Sequence, residues 1–110
     1  MNHQKLECYQ RLLQVVKDVQ AVMPAWPRGE TEVKDQLKRA LTSAVLNLVE
    51  GNGRKTAKDR KCFFNRATAS LSEASACLEL NAIVAPKAQN WTTQQRKALS
   101  IAYAQIRRLP

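Results

Sequence analysis

Thr31-Glu-Val-Lys-Asp-Gln-Leu-Lys-Arg-Ala-Leu-Thr-Ser-Ala-Val-Leu-Asn-Leu-Val-Glu50 is the stretch that decides the fold class. In it, Val33, Leu37, Ala40, Leu41, Ala44, Val45, Leu48 and Val49 fall on one broad stripe at helical spacing. Thr31 is placed to act as N-cap, and Glu32 and Asp35 sit where the positive end of a helix favours acids. Gly51 follows as the expected C-cap, free to take the left-handed backbone conformation. The stretch therefore predicts an amphipathic helix from Thr31 to Glu50.

The same grammar extends in both directions. Upstream, Leu6, Tyr9, Leu13 and Val16 form one stripe, and Leu12, Val15, Val19 and Val22 an adjoining one. They predict a first helix over Gln4 to Met23, ended by the loop between Pro24 and Gly29. Downstream, Thr56 and Asp59 form a capping box that opens a third helix running to Ala85, before Pro86. Its inward face is read as Phe63, Ala67, Leu71, Ala74, Leu78 and Ala82. Its middle, Ala67 to Cys77, is almost entirely small residues, which lets helix axes approach closely on several faces. A fourth helix is read with Thr92 as N-cap, Gln95 as its box partner, and Leu99, Ala102, Tyr103 and Ile106 as its stripe. Four helices with short connections predict an all-α, up-down-up-down antiparallel four-helix bundle. It forms a single domain over residues 1–110.

The chain carries 18 Lys and Arg against nine Asp and Glu, a formal net charge of +9. That balance favours polyanionic partners: RNA, DNA or an acidic protein face. Cys8, Cys62 and Cys77 are too far apart for a zinc pattern and read as small apolar residues in a reducing compartment. The polar N-terminus has no signal-peptide core, and no apolar run approaches the roughly 20 residues of a membrane span. These features predict a cytoplasmic protein that does not enter a membrane.

No catalytic constellation can be assembled. His3 stands alone in an expected frayed terminus, and there is no phosphate loop, serine elbow or metal-ligand pair. Cys62 lies among Arg60, Lys61 and Arg66 but has no nearby base, so it reads as a packed or surface thiol. We expect no enzyme activity, no metal and no cofactor.

The chemically informative segment is Gly51-Asn-Gly-Arg-Lys-Thr-Ala-Lys-Asp-Arg-Lys61, which joins helices two and three. Arg54, Lys55, Lys58, Arg60 and Lys61 crowd around a helix start whose N–H groups and dipole also favour anions. These five are the candidate nucleic-acid contacts; a solvated turn is the plain alternative. Glu50 lies at the unfavourable negative end of helix two and needs a partner: Arg54, the loop's N–H groups or another subunit. Glu73 is expected to form a structural ion pair with Lys38 or Arg39 across antiparallel helices. Lys87, Arg96, Lys97, Arg107 and Arg108 form a second basic zone, where Arg107 and Arg108 also suit the negative end of helix four.

Met23-Pro-Ala-Trp-Pro-Arg-Gly-Glu30, Asp35-Gln-Leu-Lys-Arg-Ala40, Asn47-Leu-Val-Glu-Gly-Asn-Gly-Arg54 and Ser70-Leu-Ser-Glu73 together resemble the 23S rRNA-intervening-sequence family. Typical members carry a proline-rich loop, Gln-Leu-Arg-Arg-Ala, Asn-Ile-Ala-Glu-Gly-x-Gly-Arg and Ser-Leu-x-Glu in that order. Asn52 stands where many members have an aromatic residue, and Val49 where alanine is usual. The resemblance implies a four-helix bundle that assembles as a ring, typically a homopentamer. It also implies kinship with the accessory proteins of diversity-generating retroelements, which bind nucleic acid and a reverse transcriptase. Two functions follow as expectations: a non-enzymatic oligomer binding RNA or DNA through phosphate contacts, or an adaptor docking a protein such as a reverse transcriptase.

Overall fold

A computed structural model describes residues 2–23 and 31–110. The proline-rich loop expected after helix one lies outside the described residues, as does the side chain of the expected cap Thr31. The helices are α1 (Glu7–Val22), α2 (Thr31–Asn52), α3 (Ala57–Val84) and α4 (Gln89–Arg107). Single turns of 3₁₀ helix precede α1 at Asn2–Lys5 and α4 at Pro86–Ala88. No strand occurs among the described residues. Each helix packs on the next, α2 on α3 most extensively, and α1 closes the bundle against α4. The architecture is the antiparallel up-down-up-down bundle. At 1.5 Å per residue α3 spans about 42 Å, and the molecule measures 44 × 21 × 20 Å.

One spacing rule builds the core. Cys8, Leu12, Val15 and Val19 of α1 alternate steps of four and three, as do Leu37, Leu41, Ala44 and Leu48 of α2. Phe64, Ala67, Leu71, Ala74 and Leu78 of α3 continue it, and Leu99, Ala102 and Ile106 of α4 complete it. A 3-4 alternation keeps one seam facing the partner when helices pack about 20° from parallel. The small residues Ala67 and Ala74 of α3 are fully buried in this seam.

This frame corrects three expectations. Phe64, not Phe63, enters the core. Counting back from Leu71 in steps of four and three reaches position 64, so Phe63 is carried to the flank. Gly51 does not end α2 in a left-handed turn: the helix runs on to Asn52, and no glycine among the described residues has positive φ. Gly51 is buried against α3 instead, where a β-carbon would lie 2.8 Å from the Phe64 ring. Thr92 does not cap α4. The helix starts at Gln89, and Thr92 is buried within it, its Oγ1 donating to the Gln89 carbonyl at 2.9 Å. Gln95 is buried too, with Nε2 donating to Asp18 Oδ2 at 3.3 Å and so tying α4 to α1.

The Thr56 cap forms as read: its Oγ1 accepts from the Asp59 N–H at 3.1 Å. His3 is not frayed. It is buried by the first 3₁₀ turn, edge-on to the Tyr9 ring at 5.0 Å between centroids. No helix among the described residues is long and apolar enough to cross a membrane.

Candidate functional site

The antiparallel topology brings the end of α2, the start of α3 and the end of α4 to one end of the bundle. All five predicted cations lie there, but the fold divides them into two kinds. Arg54 and Arg60 hold the turn together. Arg54 Nη2 donates to Glu50 Oε1 at 2.6 Å, and its guanidinium lies 4.6 Å from the Phe63 ring centroid. Glu50 thereby finds the partner its position at the negative helix end requires. Arg66 approaches the same ring at 4.9 Å, so Phe63, displaced from the core, serves as a cation–π platform for two arginines.

Arg60 is half-buried and bridges two backbone segments through three carbonyls. Its Nη1 donates to the carbonyls of Arg54 at 3.2 Å and Lys55 at 3.0 Å, and its Nε to the Pro110 carbonyl at 3.0 Å. A guanidinium offers five donors in a rigid fork and suits this task where a lysine would not. Arg60 thus fastens the residues after α4 to the α2–α3 turn.

Lys55, Lys58 and Lys61 are exposed and pair with no carboxylate among the described residues. Arg107 and Arg108, assigned from sequence to a separate basic zone, join them. Lys61 of α3 and Arg107 of α4 line the same cleft, about 410 Å³ in volume. Its apolar lining is Ala57, Phe64, Ile106, Leu109 and Pro110, its polar wall Asn65 and Thr68, and no acidic side chain lines it. Sequence reasoning missed this cleft because its two cations are 46 positions apart.

A second hollow, about 450 Å³, lies between α1 and α4. Glu7, Arg11 and Asp18 and four glutamines line it, so its charge is wrong for an anion. The expected pairing of Glu73 with Lys38 or Arg39 takes another form. Glu73 accepts from Gln36 Nε2, and Gln36 Oε1 accepts from Arg39 Nη2 at 2.9 Å. The amide stands between the charges as a relay, and Lys38 is exposed beside Arg39. One helical turn further along, Ser43 and Ser70 share a hydrogen bond of 2.8 Å, and Asn47 Nδ2 donates to the Ser43 carbonyl at 2.8 Å. These contacts set the register of α2 on α3 and so place the turn.

Among the three cysteines, Cys62 is exposed while Cys8 and Cys77 are buried. Burial pushes both buried thiols above the ordinary value, with the charges of Glu7 and Glu73 adding to it. No group of three or more His, Cys, Asp or Glu among the described residues is arranged to hold a metal ion.

The quoted segments that suggested a family now have structural roles: Glu50 and Arg54 pair, Gly51 admits Phe64, and Ser70 and Glu73 dock α3 on α2. No curated protein matches the sequence. The 23S rRNA-intervening sequence protein model matches residues 4–109, nearly the whole bundle, and the chain belongs to that family.

Proposed function

We propose that the protein is a non-enzymatic nucleic-acid-binding protein that grips phosphates with the basic end of its bundle. Supporting this most directly is one arrangement: Lys55, Lys58, Lys61, Arg107 and Arg108 are exposed together at the end where α3 begins, without carboxylate partners among the described residues. Lysines and arginines so placed gain affinity by releasing condensed counterions, and the positive end of α3 adds to the field. Such contacts position a strand but carry little sequence information.

We further propose that the working form is a homo-oligomer, a pentamer as the resemblance implies. The outer face of α3 supports an interface, because Ala69, Glu73, Ala76, Leu80 and Ile83 repeat the four-three spacing of the core on a side left exposed. A closed ring of five would carry about +45, five times the chain's charge of +9, and repeat the basic end around one rim. Sedimentation should then give about five times 12.4 kDa, and a monomer at micromolar concentration would refute it.

The binding test is affinity for labelled RNA and DNA across a salt series. Changing Lys55, Lys58 and Lys61 to Ala should weaken binding to all sequences alike and flatten the salt slope by about one per cation that contacts phosphate. Changing Lys38, Lys87 and Lys97 removes equal charge away from this end and should cost much less. Equal losses in both triple variants would defeat the localised site. The second reading, an adaptor docking a protein such as a reverse transcriptase, is favoured by the apolar end of α3, where Leu80, Ile83 and Val84 are exposed. It becomes the better one if no nucleic acid binds even at low salt.

A further inference from the structure

We infer that the cleft between α3 and α4 receives one unpaired nucleotide, so that the basic end of the bundle selects single-stranded over duplex nucleic acid. This rests on the nucleic-acid reading above and adds a ligand class to it.

The cleft combines three kinds of group. Half-buried Leu109 and the outer edges of the core residues Phe64 and Ile106 form an apolar floor, on which a base face would rest. Asn65 presents an amide carrying both donors and an acceptor, as the polar edges of bases require. Thr68 Oγ1 donates to the Asn65 carbonyl at 3.0 Å, which leaves its oxygen able to accept. Lys61 and Arg107, one from each helix, supply charge for a phosphate. The volume of about 410 Å³ lies within the range of roughly 300–1,000 Å³ usual for small-ligand sites.

Each part argues against a simpler ligand. Inorganic phosphate would use the two cations and leave the apolar wall wet. A duplex keeps its bases stacked and paired, so only its backbone can reach the rim. A base already unpaired enters without the unstacking cost. The hollow between α1 and α4 is no rival, since Glu7 and Asp18 repel phosphate there.

The test compares a single-stranded RNA with a duplex of the same length at matched ionic strength, using the full chain. The single strand should bind about tenfold tighter, the scale expected when one base is sequestered. Asn65→Ala, at an exposed position, should remove most of that preference while duplex affinity moves by less than about twofold. Thr68→Met, which fills the cleft, should do the same if it folds. Independently, uridine monophosphate should shift the amide resonances of Asn65 and Thr68 further than inorganic phosphate does at equal ionic strength, and equal shifts would count against the base site. Equal affinity for single strand and duplex, or an Asn65→Ala variant that weakens both alike, overturns the cleft while phosphate gripping stands. Absence of binding to any nucleic acid overturns both.

Discussion

A β-carbon on Gly51 would lie 2.8 Å from Cδ1 and Cε1 of Phe64 and 3.0 Å from Cβ of Phe63. The last turn of α2 therefore meets the first turns of α3 with no room for a methyl group. Gly51→Ala must push the Phe64 ring out of the core, an overpacking cost of about 1–3 kcal/mol. Urea denaturation should show it as a lower midpoint. Gly53→Ala is the companion variant: its β-carbon would sit 3.6 Å from the Glu50 carbonyl oxygen, an ordinary contact, and it should cost nothing comparable.

Thr56 supplies the only side-chain cap recorded at a helix start among the described residues, through its 3.1 Å bond with the Asp59 N–H. Thr56→Ala should lower stability by about 1 kcal/mol, and Thr56→Ser should restore most of it. Thermal unfolding followed by circular dichroism is the measurement. An alanine variant as stable as the original would mean that Arg54 and Arg60 hold the turn without the cap.

Arg60 and Lys58 are neighbours in sequence with opposite duties. Arg60 donates to three carbonyls, and its removal leaves the turn and the residues after α4 untied. Arg60→Ala should cost about 1–2 kcal/mol of stability, a modest value because the bonds are near the surface. Lys58→Ala should change stability by less than about 0.5 kcal/mol and weaken nucleic-acid binding instead. Denaturation and salt-dependent binding on the two variants separate these roles. A stability loss at Lys58 would contradict the division.

Thiol chemistry should follow burial. Cys62 is exposed, whereas Cys8 and Cys77 are buried with thiols pushed above the ordinary value. A thiol-reactive probe at neutral pH should label one cysteine per chain quickly, and mass mapping should place it at Cys62. The folded state keeps the protons of Cys8 and Cys77 where the unfolded chain has begun to lose them. Their contribution to stability is thus complete below the ordinary thiol value of 9.0 and declines as pH rises past it. Rapid labelling of all three at neutral pH would show that the bundle opens easily.

The four helices, their approximate limits and the excess of positive charge were legible in the sequence because each is local or additive. Helical hydrogen bonds join residues four apart, so a stripe at that spacing, a cap such as Thr56 or a stop such as Pro86 announces itself without knowledge of the partner. The charge of the turn follows from counting. What each side chain does at the turn depended on groups far away in the chain. Arg54 was already a candidate partner for Glu50, but Arg60 read the same as Lys55 and Lys58 until Pro110 came within reach and made it a structural residue. Gly51 looked like a helix end because glycine favours open backbone; the nearness of the Phe64 ring makes it a helix interior. Thr92 and Gln95 carried the pattern of a cap, yet both are buried within α4, and Gln95 reaches Asp18 of α1. Lys61 and Arg107 belong to one cleft only because antiparallel packing returns the end of α4 to the start of α3. Periodicity and composition, which are properties of neighbours along the chain, determined the class of fold and the sign of the chain's own charge. The division between structural and free cations, and the cleft itself, came from contacts between helices, which no local pattern encodes.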